Sequence, residues 1–211
     1  GRTIEKSVNR LELEARKEGK IRIGFVSADL KRHSVTFFLE PVLALLDKER
    51  FDLFLYSDTT KCDTITDRIK TYGTWRDITK LSDIQSAELI KEDKIDILID
   101  LSGHTGMRMR LFAIKPAPLQ ISWLGYPNTS GLSAIDWRIC DEWTDPAGQE
   151  AFHSEKLLKI PDGFQVYAPP EDAPNASTTP CLKNNYITFG SFNSLPKINR
   201  SVVEVWARIL K

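Results

Sequence analysis

The amino-acid sequence predicts an α/β fold in which a Rossmann-like parallel sheet carries helices on both faces. Apolar stretches of strand length alternate along the chain with stretches in which apolar residues recur at steps of three and four. The stretch at 95–101 is nearly continuous in apolar residues, which is typical of a strand covered on both faces. Several predicted strands are followed by polar, glycine-bearing loops, at the end where an open parallel sheet binds ligands.

The elements of this first unit follow one another as strand, helix, strand. Strands are predicted, in chain order, at 21–29, 51–58, 74–79, 95–103, 119–126 and 134–141. Helices are predicted between them at 34–49, at 64–73 with its end at Gly73, from a capping box at Ser82–Gln85 onward, and near 107–115. Because a strand, a crossover helix and the next strand form a βαβ unit, this order favours a mostly parallel sheet.

The helix at 34–49 carries a periodic apolar pattern. Phe38, Val42 and Leu45 lie at steps of four and three, so they are predicted to share the buried face of this helix. Pro41 lies inside the same run, where its ring removes one backbone hydrogen bond and favours a kink. The pattern therefore predicts a helix packed on the sheet, with a break in its regularity near the middle.

The composition changes after the first unit, which is predicted to cover residues 21–166. Residues 167–185 are rich in Pro, Ala, Ser, Thr and Asn without any periodicity, which indicates a linker. Residues 186–211 then begin a second α/β unit with a strand in "YITFGSF" and a helix in "NRSVVEVWARILK". In that helix, Ser201 and Glu204 fit a capping box. Because one strand and one helix enclose no core, we expect a fragment of a longer protein, truncated early in its second domain.

Charge and cysteine content narrow the classes of protein. The formal net charge is zero, from 29 basic and 29 acidic residues, which argues against a nucleic-acid partner. No stretch approaches the roughly 18 consecutive apolar residues that indicate a membrane-spanning helix. The odd, widely spaced set of Cys62, Cys140 and Cys181 fits a reducing compartment, the cytoplasm or, in a eukaryote, also the nucleus. No residues have metal-ligand spacing, and no GxGxxG or GxxxxGK[ST] motif occurs.

Three polar loops follow predicted strands and point to a common site. Asp29 and His33 follow the first strand, "SGHTG" at 102–106 follows the fourth, and "LGYPNTSG" at 124–131 follows the fifth. If these strands are parallel, the loops share one edge of the sheet. Glycines let backbone amides approach a ligand closely, and amides at helix starts suit an anion. The residues therefore predict a cleft for a phosphate or a sugar.

Each part of this cleft also has a plainer interpretation. Gly103 and Gly106 fit ordinary turns, and a single histidine after a strand, such as His104, fits a helix cap or a surface group. A dinucleotide oxidoreductase, a third class, lacks its glycine fingerprint. The residues taken alone predict a Rossmann-like domain with a polar cleft and no more.

Longer motifs extend the prediction. They are "GFVSADLKRHSV" (24–35), "DLSGHTG" (100–106), "KPAPLQISWLGYPNTSGLSAIDWRICDEWTDP" (115–146) and "ITFGSFNSLPKI" (187–198). Taken together, these motifs resemble the family of O-linked N-acetylglucosamine transferases and SPINDLY proteins, over about residues 22–211 and in the family's order. The match is closer to the SPINDLY and bacterial branch than to the animal enzymes.

The resemblance implies a glycosyltransferase of the GT-B type, built from two facing Rossmann-like halves. The chain would supply the N-terminal half and the first strand and helix of the C-terminal half. In this family an inverting, metal-independent reaction transfers N-acetylglucosamine from UDP-N-acetylglucosamine to Ser or Thr hydroxyls of intracellular proteins, without a cofactor. SPINDLY-type members can instead be O-fucosyltransferases that use GDP-fucose. Tetratricopeptide repeats usually lie upstream, and residues 1–20 would be the helix that connects them to the catalytic part.

The resemblance also implies which residues form the site. Asp29 and His33 match the family's Asp and His that line the active cleft. His33 would act either as the base, oriented by Asp29, or only as a hydrogen-bonding group to the donor, and donor contact is favoured. Lys197 matches the lysine that neutralises the diphosphate. The remaining donor- or substrate-binding candidates are Leu124, Gly125, Tyr126, Pro127, His104, Thr105 and Ser194.

Two of these candidates depart from the animal enzymes, and the chain also allows a function of another class. The animal enzymes have tyrosine at the position of His104 and glutamine at that of Ser194. Because a GT-B site needs both halves, the chain alone is expected to be an inactive binding or scaffold half. The apolar face of the final helix is expected to dock on the first unit or to pair with another copy.

Overall fold

The computed structural model describes residues 2–13, 18–169 and 173–211. It divides the chain into two compact units, 1–168 and 169–211. The boundary between them lies inside the predicted linker, of which residues 170–172 are outside the described residues. Each unit is described by itself below.

The first unit is built on one sheet of seven strands, all parallel. The sheet order is β3-β2-β1-β4-β5-β6-β7. This architecture confirms the predicted α/β fold with a parallel sheet. The strands are β1 (Ile21–Ser27), β2 (Phe51–Ser57), β3 (Thr74–Asp77), β4 (Ile97–Asp100), β5 (Leu119–Ser122), β6 (Trp137–Cys140) and β7 (Lys156–Lys159).

Seven α-helices and three short 3₁₀ helices are present in the described residues. None of these helices is long and apolar enough to cross a membrane. The α-helices are α1 (Arg2–Glu5), α2 (Ser34–Leu45), α3 (Thr64–Lys70), α4 (Asp83–Glu92), α5 (Met109–Ile114), α6 (Pro180–Asn184) and α7 (Arg200–Ile209). The 3₁₀ helices are Gly103–Thr105, Glu150–Phe152 and Leu195–Lys197.

Helices cover both faces of the sheet, and each face has its own apolar core. On one face, α2 and α3 bury their apolar residues against alternate residues of β1, β2 and β4. On the other face, α4 and α5 pack against the intervening residues of the same strands. In β2, for example, Leu53 and Leu55 belong to the first core, whereas Phe54 and Tyr56 belong to the second. This double coverage explains why the central strands have nearly continuous apolar sequences.

The three strands that precede the polar loops are neighbours at the centre of the sheet. β4 pairs with β1 on one side and with β5 on the other. The register places Asp100 opposite Val26 of β1 and opposite Ser122 of β5, so the three strands end at nearly the same level. Their carboxyl ends therefore form one rim, which confirms the prediction that the three loops share one edge of the sheet.

The loop after β5 packs directly against the end of β4. A Cβ atom at Gly125 would lie 1.9 Å from the carbonyl oxygen of Leu101, so only glycine fits there. Beside it, Leu124 has a φ of 79°, and the amide of Gly125 donates to the carbonyl of Trp123 at 3.1 Å. These two features define a γ-turn with a positive central φ, which is rare and strained. Such strain persists only where the surroundings hold it in place, and it is most frequent at functional sites.

Tertiary packing overrides the sequence pattern at two places in the first unit. Leu45 was predicted to be buried, but it is 83% exposed because α2 turns Leu39 and Leu43 toward the sheet instead. The second predicted helix does not extend to Gly73. It ends at Lys70, and Gly73 instead allows a close approach to the Leu53 carbonyl, which a Cβ atom would meet at 2.4 Å. Pro41 lies within α2, as predicted.

The sequence pattern also missed one strand and overestimated one helix. β7 is a short edge strand that begins and ends with lysine, so it has little of the apolar signal that identified the others. The helix predicted over residues 1–20 is confined to α1, and residues 14–17 lie outside the described residues. Leu11 leaves the helical path because its amide donates to the carbonyl of Ile114 at 3.1 Å. Tertiary contact with α5 thus replaces helical hydrogen bonds that a short isolated helix could not maintain.

The second unit differs from its prediction in three respects. The short helix α6 forms inside the predicted linker. Residues 186–192 form no strand, because no other strand in the described part of this unit offers backbone hydrogen-bonding groups to pair with. Helix α7 forms as predicted, but its N-terminal cap is Asn199, whose side chain accepts from the amide of Val202, and not the predicted pair of Ser201 and Glu204.

The burial of α2 gives a first testable prediction. Leu43 is fully buried and Leu45 on the same helix is 83% exposed. Leu43→Ala is expected to lower the free energy of unfolding by about 2–5 kcal/mol, because it leaves a cavity under α2. Leu45→Ala is the matched control and is expected to change the free energy by less than about 0.5 kcal/mol. Urea denaturation of both variants measures this difference, and equal losses would contradict the described orientation of α2.

The close approach at Gly125 gives a second prediction. Gly125→Ala is expected to lower the free energy of unfolding by about 1–3 kcal/mol, because the new methyl group collides with the Leu101 carbonyl and forces the loop to shift. A Cβ atom at Gly190 would meet nothing within 4 Å, so Gly190→Ala serves as the control. A Gly125→Ala variant that is as stable as the control would show that the loop does not lie against β4.

Candidate functional site

The loop after β1 places the first two candidate residues. Ser27 ends β1, and its hydroxyl oxygen accepts from the amide of Asp29 at 2.9 Å. His33 caps the N-terminus of α2, and its Nδ1 atom accepts from the amide of Val35 at 3.3 Å. A ring nitrogen that accepts a hydrogen bond carries no proton, so the neutral His33 ring carries its proton on Nε2. His33 therefore presents a hydrogen-bond donor at Nε2.

Asp29 lies beside His33 without a hydrogen bond to it. The distance between Asp29 Oδ2 and His33 Nδ1 is 3.8 Å, which exceeds hydrogen-bond length. Lys31 Nζ lies 3.9 Å from the other carboxylate oxygen. The backbone carbonyl of Asp29 accepts from the hydroxyl of Thr36 at 2.6 Å, which ties the loop to α2. The arrangement gives no support to the expectation that Asp29 orients His33, because Nδ1 is occupied by the Val35 amide.

The loop after β4 is organised by a buried carboxyl group. Oδ1 of Asp100 accepts from the amides of Ser102 and Gly103 at 2.9 and 3.0 Å, which turns the chain into the 3₁₀ helix. Oδ2 of Asp100 has no hydrogen-bond partner within the described residues. Burial raises the pKa of the Asp100 carboxyl above its ordinary value, and the two amide hydrogen bonds only partly oppose this effect.

His104 and Thr105 lie in this 3₁₀ helix and are both exposed. The hydroxyl of Thr105 donates to the carbonyl of Ser102 at 2.6 Å, so its proton is used within the loop. His104 Nε2 lies 2.9 Å from the carbonyl oxygen of Ser130, in the loop after β5. The rings of His104 and Tyr126 also form a T-shaped contact, with centroids 5.1 Å apart. These contacts join the second and third loops of the rim.

The loop after β5 holds the other candidates of the first unit. Leu124 is buried, Gly125 and Tyr126 are half-buried, and Pro127 is exposed. The loop is anchored from below by Trp123, whose indole nitrogen donates to the carbonyl of Phe164 at 3.0 Å. The structure therefore brings His33, His104 and the 124–127 segment to the ends of three adjacent strands.

A pocket opens at the same edge of the sheet, between the ends of β1 and β4. It is small, with a volume of about 10 Å³, which is space for about one water molecule. The Ser27 and Ser102 hydroxyl oxygens lie 3.5 Å apart across it, and both are buried. The lining residues are Val26, Ser27, Ala28, Asp58, Asp100, Ser102, Gly103, Gly106, Met107 and Arg108.

Arg108 is the cation in this pocket, and its hydrogen-bonding capacity is already used. Its guanidinium forms a bidentate pair with Asp58, at 2.9 and 2.6 Å. Its remaining N–H groups donate to Asp83 and to the carbonyls of Ile78 and Leu81. The hydrogen bond to Asp58 is the main reason that the pKa of Arg108 is raised. Arg108 thus holds the loops after β2 and β3 together and has no free donor for an anion.

Two candidates lie in the second unit. Lys197 ends the 3₁₀ helix Leu195–Lys197, and its amide donates to the carbonyl of Ser194 at 2.9 Å. Both side chains are exposed. Within the described parts of the chain, no three His, Cys, Asp or Glu side chains are grouped as metal ligands.

Sequence reasoning missed the residues that support the rim from below. Asp100 could have been found from the sequence, because it is an acid at the end of a buried strand and directly before a glycine-containing loop. An aspartate in that place commonly accepts from the backbone amides that follow it, as Asp100 does here. Glu155 could not have been found, because it contacts Ser130 only after the unpredicted strand β7 pairs with β6. Arg108 could not have been found either, because another arginine lies close to it at position 110 and no sequence pattern distinguishes the two.

Comparison with known proteins agrees with this geometry. Residues 3–169 match the model of glycosyl transferase family 41. A protein of Petunia hybrida named probable UDP-N-acetylglucosamine–peptide N-acetylglucosaminyltransferase SPINDLY is 43% identical over 199 residues, which are 92% of this chain and 21% of that protein. The probable transferase SEC of Arabidopsis thaliana is 32% identical over 214 residues, which are 94% of this chain and 22% of that protein. The higher identity to SPINDLY agrees with the motifs.

A solved structure shares the fold. An O-GlcNAc transferase variant from Thermobaculum terrenum superposes with a TM-score of 0.84 at 37% identity, over 90% of this chain and 36% of that one. The chain spans about a fifth of the length of the curated relatives. The motifs, the sheet and these matches agree, and the chain belongs to glycosyl transferase family 41.

Proposed function

We propose that this chain supplies the N-terminal catalytic half of a protein O-glycosyltransferase. The enzyme would transfer N-acetylglucosamine from UDP-N-acetylglucosamine to Ser or Thr hydroxyls of proteins. The observation that carries the proposal is the common rim, where β1, β4 and β5 bring the loops of His33, His104 and Gly125 side by side. The names of the relatives, which are peptide N-acetylglucosaminyltransferases, support the choice of reaction.

In the proposed reaction one bond forms, one bond breaks and one proton is transferred. The acceptor hydroxyl oxygen attacks the anomeric carbon, the bond from that carbon to the diphosphate breaks, and the electron pair leaves with the nucleotide. The hydroxyl proton passes to a base, and inversion follows from attack on the opposite face. Negative charge grows on the diphosphate, so a fixed cation such as Lys197 would stabilise the transition state without a metal.

His33 fits contact with the donor better than base catalysis. Its Nδ1 atom accepts from the Val35 amide, so the neutral ring has no lone pair free to take a proton from the acceptor hydroxyl. The Nε2–H group instead suits an oxygen of the sugar or of the diphosphate. Leu124 and Gly125 would contact the donor through their backbone, and their strained turn keeps that backbone in one conformation. The other candidates of the first unit, Tyr126, Pro127 and Thr105, would line the same cleft, and Ser194 of the second unit stays a candidate for donor binding.

Two alternatives remain distinct from this proposal. A SPINDLY-type O-fucosyltransferase would use GDP-fucose at the same rim, and the base would be recognised mainly by the C-terminal half. The chain alone would be an inactive binding half, since it covers only 36% of the solved relative's chain. Detectable transfer by the isolated 211-residue chain would therefore contradict the need for a second half. Upstream tetratricopeptide repeats and a cytoplasmic or nuclear location remain part of the proposal.

The role of His33 is tested in the longer enzyme that contains both catalytic halves. His33→Asn keeps a good helix cap but removes the Nε2–H donor. It is expected to lower kcat for transfer by about 100-fold or more, because a donor to the developing charge is lost. The control is Leu45→Ala, which changes an exposed residue of the same helix. Near-normal transfer by folded His33→Asn would exclude both roles considered for His33.

The donor is tested by calorimetric titration of the same enzyme with UDP and with GDP. Recognition of the correct base is expected to make UDP bind at least about tenfold more tightly, which corresponds to about 1.4 kcal/mol. Tighter binding of GDP would favour the fucosyltransferase and contradict the assigned donor. NAD and NADP serve as negative controls, since the chain has no GxGxxG motif.

A further inference from the structure

A buried acid lies beneath the loop that follows β5. Glu155, directly before β7, is only 4% exposed. One of its carboxylate oxygens accepts from the amide of Ser130 at 2.7 Å and also from the Ser130 hydroxyl. The other oxygen accepts from the hydroxyl of Thr129 at 2.8 Å. Both carboxylate oxygens are thus committed to two adjacent residues of the rim.

The hydrogen bonds keep this acid charged although it is buried. Burial alone would raise the pKa of Glu155, but the donors of Ser130 and Thr129 outweigh it, and the pKa lies below its ordinary value. A charged acceptor forms shorter and stronger hydrogen bonds than a neutral one. The backbone at 129–130 is therefore held more firmly than loop residues usually are.

This firmly held backbone faces His104. The carbonyl oxygen of Ser130 lies 2.9 Å from His104 Nε2. A carbonyl oxygen only accepts, so Nε2 carries the proton, and the contact with Tyr126 fixes the plane of the ring. Nδ1 of His104 has no hydrogen-bond partner among the described residues, and the residue is exposed. In the neutral ring Nδ1 is therefore an acceptor that a ligand can reach.

We infer that Glu155 is a positioning residue that acts through Ser130 to fix the tautomer and orientation of His104, so that Nδ1 accepts a hydrogen bond from a substrate hydroxyl. The hydroxyl belongs to the sugar or to the acceptor side chain, and this part rests on the proposed function. The tautomer of His104 and its dependence on Glu155 follow from the chain itself. A purely structural role for Glu155 would affect stability and leave the His104 ring unchanged.

The tautomer can be measured directly in the 211-residue chain, which contains only three histidines. Long-range proton–nitrogen correlation spectra of the labelled protein at about pH 8 distinguish Nε2–H rings, Nδ1–H rings and doubly protonated rings. His104 is expected to be in the Nε2–H form. His153 provides a contrasting internal reference, because its Nδ1 lies 3.0 Å from the carbonyl of Gln149 and carries a proton, while its Nε2 lies 3.1 Å from a carboxylate oxygen of Asp145.

Three substitutions of Glu155 separate positioning from simple stabilisation. Glu155→Gln keeps an acceptor for Ser130 and is expected to keep His104 in the Nε2–H form. Glu155→Ala removes the acceptor, and His104 is expected to become a mixture of tautomers while His153 stays unchanged. Glu155→Asp withdraws the carboxylate by one methylene and is expected to give a smaller change of the same kind, should the alanine variant not fold.

The inference is overturned if wild-type His104 is in the Nδ1–H form, a result that needs no variant. It is also overturned if His104 stays fully Nε2–H in folded Glu155→Ala or, failing that, in Glu155→Asp. In the longer enzyme, Glu155→Ala is expected to lower kcat/KM by about tenfold through misplacement of His104, with recovery in Glu155→Gln. If the wild-type longer enzyme transfers no sugar at all, the proposed function fails, whereas the spectra still decide the role of Glu155.

Discussion

The parallel pairing of β4 with both β1 and β5 is the constraint on which the rest of the structure depends. It aligns the ends of three strands that are far apart in the sequence, with Asp100 level with Val26 and Ser122. Parallel strands are joined by crossover segments that run back along a face of the sheet, so these connections leave the rim open. The candidate site is therefore a product of strand order, and the side chains on the rim adapt to positions that the sheet has already determined.

Hydrogen bonds within the rim decide what its residues can still offer to a ligand. Arg108 uses all its donors on Asp58, Asp83 and two carbonyls, so it serves the fold although it resembles a phosphate-binding residue. The hydroxyl of Thr105 likewise donates to the carbonyl of Ser102. His33 and His104 each have one ring nitrogen engaged by the backbone. Few polar side-chain atoms of these rim residues are therefore available to bind a ligand.

The sequence predicted the sheet and its edge because these depend on local patterns, whereas most of the candidate residues came from the resemblance to the family. The apolar run of β4 and the glycine-containing loop after it can be recognised from consecutive residues in the sequence. The missing parts depend on contacts between distant segments. Glu155 reaches Ser130 across 25 positions and needs β7, a short edge strand that has a lysine at each end and little apolar signal. The segment at 186–192 has the right residues for a strand, but a strand forms only beside a partner.

The two rim histidines, which look alike in the sequence, are chemically opposite in the structure. His33 accepts at Nδ1 and so offers a donor at Nε2, whereas His104 donates at Nε2 and so offers an acceptor at Nδ1. Under the proposed reaction, a donor suits the oxygens of the departing nucleotide, and an acceptor suits a hydroxyl. The first unit would then orient both reactants by hydrogen bonds alone. A neutral imidazole supplies no full positive charge, so the leaving diphosphate would also need a cation, which is the role proposed for Lys197.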